Sequence, residues 1–271
     1  NDQFNFYSGD GVVKKGVFNP EAITLSKLNL QAHSLFLKDQ KAKAAIDDFS
    51  LVEGSGLELQ TLKAKLEADD NKINIEGIDV QTGKSLLKGD FLITYQSLDG
   101  FINNPEKAGF DIKLKQFETD ASEALFFVPE YKNDIYFKEL KRNGLKASGS
   151  ISGNLARLKI PGFDLSYGKL TRLNVRSARI INAVDFERMT VNIPDFTFET
   201  KGRVIESFLE DGSYQIPEDI KLTAMAIGGF EDFKTEILLE TSEGNVSLEG
   251  TVNGDEVYFV NSTLDVQELD L

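Results

Sequence analysis

Apolar and polar residues alternate along most of this chain with a period of two. Residues 62–68 place Leu or Ala at every second position with charged residues between them, and residues 73–76, 110–115, 145–151 and 246–252 repeat the pattern. A period of two sends successive side chains to opposite faces of a β-strand. The chain is therefore predicted to be mainly β, built from strands that are apolar on one face.

Turn-forming pairs separate the alternating stretches. They are Asn143-Gly144, Asp211-Gly212, Glu243-Gly244 and Asn253-Gly254-Asp255. Asn-Gly and Asp-Gly favour the backbone conformations of tight turns. The last two bracket a single strand, which predicts an antiparallel meander.

The alternation slips by one residue at several points, for example between Leu59 and Leu62 and between Ile75 and Ile78. A one-residue slip would turn the apolar side chains to the other face unless a β-bulge restores them. We therefore expect bulges at these points. Gly153 and Gly228 are expected to permit a bulge or a tight corner.

Signals for helices are sparse. Asp120 and Glu123 have the spacing of a capping box, and Pro129 follows an apolar stretch, so a short helix is predicted over 120–128. A second is predicted over Val204 to Leu209. With an offset of 75 residues, the stretch from Leu145 matches the stretch from Ile220. These spacings suggest one domain of about three repeats, over residues 1–119, 120–203 and 204–271.

The charge is concentrated in parts of the chain. The formal net charge is −14, and residues 204–271 hold 2 Lys/Arg against 16 Asp/Glu, while residues 140–188 hold ten cations against three acids. This balance argues against a nucleic-acid-binding protein. The basic stretch is either a solvated face or a band that meets anionic headgroups, and the acidic end could dock a basic partner.

The residue types leave little room for catalysis. The chain has no Cys and one His, which excludes thiol nucleophiles and clusters of His ligands, so no cofactor or metal is expected. We interpret His33 as an ordinary strand residue. Paired acids such as Asp69-Asp70 and Asp255-Glu256 lie in turn-like contexts, and no pair has a spacing that indicates a glycosidase. We therefore do not expect an enzyme.

The longest apolar run, residues 124–128, is far too short to span a bilayer. We expect no signal peptide at the start of the chain. Because the sequence opens in mid-pattern, we expect a fragment or a processed form.

An antiparallel sheet with one apolar face needs a cover for that face. A two-sheet sandwich, a closed barrel and a deeply curved open sheet would each provide one. In the open sheet the cover must come from outside the chain, and acyl chains would fill such a trough. The period of two does not distinguish these three architectures.

Several stretches carry a resemblance to a known family. They are Ile23–Leu30, Phe49–Leu59 with Leu62–Leu66, Ile78–Leu87, Val128–Tyr131 leading to Leu145–Leu155, and Ile216–Ala224 followed by Leu239–Val246. In this order they resemble the TamB-type (translocation and assembly module) proteins of the AsmA-like envelope family, most closely the Bacteroidota-type members. The family's N-terminal membrane anchor and its C-terminal domain have no counterpart here.

The resemblance implies an elongated, strongly curved antiparallel sheet that forms an open apolar groove, or half-barrel, with one or two short helices. It implies a periplasmic protein that bridges the inner and outer membranes and carries phospholipids by their acyl chains. An outer-membrane assembly partner would bind regions missing from this chain, which is expected to be a monomer. Phe126 and Phe127 are expected to seal the groove edge.

Fourteen apolar residues are predicted to line the groove. They are Leu57, Leu59, Leu62, Leu66, Ile73, Ile75, Ile112, Leu114, Leu145, Ile151, Ile237, Leu239, Val246 and Leu248. Two other functions stay open at this point: a chaperone or scaffold for outer-membrane protein assembly, and a β-sandwich adhesin or envelope scaffold that carries no lipid.

Overall fold

The computed structural model describes residues 3–9, 11–209, 215–254 and 259–267. Fifteen strands form one antiparallel sheet in which each strand pairs with the next along the chain. The order begins at β1 and ends at β15, so the sheet is open and does not close into a barrel. The prediction of a mainly β, open antiparallel sheet is confirmed.

Strand bounds follow the alternating stretches of the sequence. The strands are β1 Gln3–Tyr7, β2 Ala22–Lys38, β3 Lys41–Glu53, β4 Glu58–Ala68, β5 Lys72–Thr82, β6 Ser85–Thr94, β7 Gly109–Thr119, β8 Leu145–Asn154, β9 Arg157–Tyr167, β10 Thr171–Ile181, β11 Thr190–Lys201, β12 Asp219–Gly228, β13 Asp232–Thr241, β14 Gly244–Asn253 and β15 Phe259–Gln267. The meander over β13–β15 is confirmed. Asp211-Gly212 and Asp255-Glu256 lie outside the described residues.

The bulges lie where the alternation slips. The β4–β5 register shifts between Leu59 and Thr61, and the β5–β6 register shifts between Ile75 and Ile78. Gly77, inside the second slip, has a φ of 61°. Because each bulge adds a residue to one strand, the apolar side chains on both sides of it stay on one face. The predicted bulges are therefore confirmed.

Helices are more numerous than the sequence patterns indicate. Among the described residues the α-helices are α1 Leu98–Asn103, α2 Ile135–Asn143 and α3 Gly202–Glu206, with 3₁₀ turns over Pro105–Lys107, Ser122–Phe126 and Pro129–Asn133. The helix predicted over 120–128 is only the 3₁₀ turn Ser122–Phe126, and the one predicted to reach Leu209 ends at Glu206. The prediction of one or two helices was therefore too low.

Glu123 does not close a capping box. Its carboxylate instead accepts hydrogen bonds from the Thr82 and Ser85 hydroxyls and, at 3.1 Å, from the Lys84 backbone N–H. The 3₁₀ turn has Ala121 at its N-cap, with no side-chain hydrogen bond there. Glu123 therefore binds residues about 40 positions away in sequence and not the backbone at the start of its own turn.

The chain divides into two compact units. The first comprises Asn1–Asn103 and Ile112–Lys146, and the second comprises Asn104–Asp111 and Ala147–Leu271. The division into three repeats stays a prediction. Gly153 is the second-last residue of β8 and Gly228, 75 residues later, is the last residue of β12, with φ of 114° and 121°. A Cβ at either position would lie within 2 Å of a carbonyl oxygen across the turn, at 1.9 and 1.8 Å, so the prediction of a tight corner is confirmed.

Candidate functional site

Apolar side chains form rows across the strands of the first unit. Directly opposed residues of an antiparallel pair point to the same face, with Cβ atoms about 5 Å apart. From β2 to β6 one row is Leu30, Phe49, Leu62, Val80 and Leu87. A second, from β3 to β6, is Ala44, Leu66, Ile75 and Phe91. A third, from β2 to β6, is Leu37, Ala42, Ala68, Ile73 and Ile93.

The second unit carries longer rows, each with one residue on every strand from β9 to β15. One row is Leu165, Leu173, Phe198, Leu222, Leu239, Val246 and Val266. The next is Phe163, Val175, Phe196, Ala224, Ile237, Leu248 and Leu264. In each unit we call the side of the sheet that carries these rows the apolar face and the other side the polar face.

The apolar face has no core packed on it. Across the described residues no large side chain is fully buried, and the buried hydrophobic residues are Ala22, Ala45, Ala108, Tyr167 and Ala178. A folded domain of ordinary type buries its Leu, Ile and Phe, each contributing about 1.5–3 kcal/mol. Here most of these side chains stay half-buried between their row neighbours, and Leu30, Leu37 and Leu264 are exposed, so much of their surface remains open to a ligand.

All fourteen predicted lining residues are half-buried. Leu62, Leu66, Ile73 and Ile75 belong to the rows of the first unit, and Ile237, Leu239, Val246 and Leu248 to those of the second. Leu59 opposes Leu51, at the end of β4 beyond the bulge. Leu57 lies in the turn before β4, where its carbonyl accepts a hydrogen bond from the Glu53 N–H at 2.8 Å. Ile112 and Leu114 lie in β7, and Leu145 and Ile151 lie in β8.

Sequence reasoning missed the apolar residues of β9–β11. Residues 163–167 and 196–198 alternate with the correct period, but Pro161-Gly162 interrupts β9 and Pro194 interrupts β11. In β10 the alternation resets at Ser177, whose φ is 56°. Strand pairing shows that these residues belong to the apolar face, because it places each of them opposite an apolar residue on the next strand. A short stretch of sequence does not contain that neighbour.

Ion pairs between adjacent strands cover the polar face. They include Lys43–Glu67 at 3.1 Å, Lys115–Asp90 at 2.7 Å and Lys146–Glu118 at 2.8 Å. The hydrogen bond from Lys115 and the backbone bond from Gly77 hold the pKa of Asp90 below its ordinary value. This face is therefore suited to water, in contrast to the other.

The basic stretch contributes to the polar face. Lys159 and Arg179 oppose each other on β9 and β10, each flanked along its strand by residues of the apolar face such as Leu158 and Ile180. Arg176 pairs with Asp164 at 2.5 Å, and its hydrogen bond lowers the pKa of that carboxyl. These cations thus lie on the side of the sheet that faces away from the apolar rows.

The remaining candidate residues have structural surroundings. His33 lies in β2, exposed, with Nδ1 at 2.8 Å from the Asp47 carboxylate. The Phe126 carbonyl accepts from the Phe18 N–H at 2.7 Å, and the Phe127 ring lies 5.4 Å from the Phe18 ring. In the described part of the chain no group of His, Asp and Glu residues could hold a metal ion.

Comparison of the chain with protein-family models, curated proteins and solved structures finds no match. None of the described helices has the length and apolar character needed to cross a bilayer.

Proposed function

We propose that this chain is a segment of a lipid-carrying β-groove that holds phospholipid acyl chains against its apolar face. The observation that supports the proposal is the set of apolar rows, which continue from strand to strand without a core packed upon them. Monomeric soluble proteins rarely leave more than a few hundred Å² of contiguous apolar surface exposed. A cover of flexible hydrocarbon would remove this surface from water.

The direction of the rows favours a conduit over a closed pocket. Each row runs across the strands, so a chain that leaves Leu222 meets Leu239 and then Val246 at the next strands. Neighbouring strands lie about 4.8 Å apart, so equivalent apolar contacts repeat at that spacing along each row. Acyl chains would slide along the rows while headgroups stay in water, and no covalent step is involved.

The setting of this activity rests on the resemblance to the TamB-type, AsmA-like envelope proteins. In that setting the segment works in the periplasm, and phospholipids pass along the groove between the inner and outer membranes. Its partners are the acyl chains, and an outer-membrane assembly partner would bind elsewhere in the full-length protein.

A matched pair of variants on one strand tests the proposal. Leu239 lies on the apolar face between Leu222 and Val246, while its neighbour Leu238 lies on the polar face and is 39% exposed. Leu239→Asp places a charge where acyl chains would lie, and burying an unpaired carboxylate is costly. We expect about tenfold less phospholipid to co-purify with Leu239→Asp than with Leu238→Asp.

Organic extraction followed by mass spectrometry measures the lipid bound per protein, and circular dichroism checks that both variants fold. Wild-type protein that carries no lipid would contradict the proposal. Equal lipid content in the two variants would also contradict it.

The sheet edges favour a second candidate, a chaperone for outer-membrane proteins. All described side chains of β1 and β15 are exposed, and an edge strand offers unpaired backbone groups to an extended client. A photo-crosslinking residue at position 222 on the apolar face would capture lipid if the groove is a conduit, and one at position 5 in the edge strand β1 would capture client protein if the sheet edge binds a client.

A further inference from the structure

A distinct apolar pocket lies at one end of the strands in the second unit. Its volume is about 430 Å³, within the range of small-molecule sites. Its lining comes from the loop between β10 and β11, the turn between β12 and β13, and the adjoining ends of strands β11–β15. The lining residues are Phe186, Met189, Val191, Gly228, Gly229, Phe230, Phe233, Val252 and Val260.

The pocket continues the apolar face. Val191, Gly228, Phe233, Val252 and Val260 oppose one another in turn on β11–β15 and form the last row at this end of the strands. Gly228 interrupts that row with a residue that has no side chain. The neighbouring row is Ile193, Ala226, Thr235, Gly250 and Ser262, and the Thr235 hydroxyl in it donates to the Met225 carbonyl. A hydrocarbon chain on the apolar face can therefore extend into the pocket across mainly small side chains, two of which carry a hydroxyl group.

Hydrogen bonds hold the loop that forms one wall. The Asp185 N–H donates to the Asn182 carbonyl at 3.0 Å, and the Arg188 N–H donates to the Asp185 carbonyl at 3.1 Å. A Cβ at Gly229 would lie 3.2 Å from the Met189 carbonyl oxygen, so the loop end and the turn are in close contact. The wall is thus fixed in place, although Phe186 on it is 74% exposed.

The charges around the opening are mainly negative. Glu187 follows Phe186 in the loop, and Glu231 follows Phe230 in the turn, whereas Asp232 opposes Asn253 on the polar face. Glu187 and Glu231 are exposed, and the described part of the chain offers neither of them a cation within ion-pair distance. They lie one residue from the lining, well within the roughly 10 Å Debye length at moderate ionic strength.

The nearby cations are already paired. Arg188 lies 3.8 Å from the Asp185 carboxylate, and Lys234 lies 2.7 Å from the Glu236 carboxylate. Lys159 and Arg179, which form no ion pair within the described residues, lie on β9 and β10 with their side chains on the polar face. Residues 204–271 carry only two cations against sixteen acids, which adds to the negative potential.

We propose that this pocket binds the aliphatic chain of an amphiphile whose polar end is positively charged, with the ammonium group held near Glu187 and Glu231. The inference rests on the proposed function and specifies it further, because it names an amine-bearing rather than an anionic lipid. The apolar lining takes the hydrocarbon, and the unpaired carboxylates favour the cation. Phe186 and Phe230 add aromatic rings, whose faces attract ammonium groups.

Three probes of equal chain length test the inference on the whole chain. Decyltrimethylammonium, decanol and decanoate are each titrated below their micellar concentration, with binding followed by calorimetry and by NMR of methyl groups. We expect the ammonium probe to bind about fivefold more tightly than decanol, and decanoate to bind most weakly. The preference should shrink at high salt.

Two pairs of variants locate the effect. Glu187→Gln with Glu231→Gln should remove the preference for the cation and leave the affinity for decanol unchanged. Phe186→Asn with Val260→Asn, at positions 74% and 69% exposed, should weaken all three probes. The matched control is Val184→Asn with Ile102→Asn, at positions 71% and 66% exposed that lie outside both the pocket and the apolar rows, and it should retain binding.

Equal affinity for decanoate and the ammonium probe would overturn the inference, and so would equal binding by the pocket pair and its control. The outcome is separable from that of the proposed function. If no phospholipid co-purifies but the ammonium preference holds, the pocket inference stands and the conduit fails. If phospholipid co-purifies without any charge preference at the pocket, the conduit stands and the inference fails.

Discussion

Glycines at the ends of β8 and β12 show how single residues set the corners of this sheet. Gly228 has a φ of 121°, and a Cβ there would lie 1.8 Å from the Asp232 carbonyl oxygen. Both the backbone angle and the close approach exclude a side chain. Gly153 has the same two features in the corresponding turn.

We therefore expect Gly228→Ala to destabilise the second unit by about 2 kcal/mol or more, because either the turn or the neighbouring backbone must move. Gly250→Ala is the control, since the nearest atom to its Cβ would be the Thr235 methyl group at 3.6 Å. Urea unfolding measures both. Similar midpoints for the two variants would contradict this explanation of the turn.

At the scale of elements, the segment between β7 and β8 is held to the first unit by polar contacts. The Glu123 carboxylate binds the Thr82 and Ser85 hydroxyls and the Lys84 N–H. The helix α2 that follows has Asp134 at its N-cap, accepting from the Tyr136 and Phe137 N–H groups at 2.9 and 3.1 Å. The Glu123 carboxylate thus binds the start of the segment to the turn between β5 and β6, and the Asp134 carboxylate caps the N-terminus of α2.

Glu123→Gln should loosen this segment, because an amide replaces a charged acceptor of three hydrogen bonds. We expect amide hydrogen exchange over residues 120–143 to rise roughly tenfold while the strands of the first unit keep their protection. Glu130→Gln, an exposed change in the same segment, should leave exchange as it is. Unchanged exchange in Glu123→Gln would show that other contacts fix the segment.

At the scale of the whole molecule, the polar face depends on carboxylates that prefer the charged form. A hydrogen bond from Lys43 lowers the pKa of Glu67, one from Lys115 lowers that of Asp90, and one from Lys146 lowers that of Glu118. A lowered pKa contributes stability that is fully present above the ordinary value, 3.8 for Asp90, and is lost as the pH falls through the folded value.

The free energy of unfolding should therefore stay nearly level from neutral pH to about pH 5 and fall below about pH 4. Lys115→Gln should raise the pKa of Asp90, while Lys113→Gln on the same strand, which makes no such hydrogen bond, should change it less. Carbon NMR of the Asp90 carboxyl measures both values. An Asp90 that titrates near 3.8 in the wild type would refute the assigned role of Lys115.

How far the sequence predicts this protein can be seen at particular residues. The slips in alternation at Leu59 and Ile75 correctly predicted the positions of bulges, and Gly153 and Gly228 correctly predicted the positions of tight corners. Bulges and corners can be predicted in this way because they depend on residues that are neighbours along the chain. The prediction that Glu123 closes a capping box was wrong, because the hydroxyl groups of Thr82 and Ser85, about 40 residues away in sequence, bind its carboxylate instead. Helix α2 was missed although Asp134 and Gly144 mark its two ends.

The sequence by itself determined the strand content, the one-faced character of the strands and the concentration of negative charge in residues 204–271. A period of two, turn residues and composition are local properties, and no partner is needed to define them. The tertiary structure alone decided that the sheet stays open, which residues form rows, and where the pocket lies. Rows such as Leu222, Leu239 and Val246 exist only once pairing fixes the register, because a shift of one residue would move every side chain to the other face.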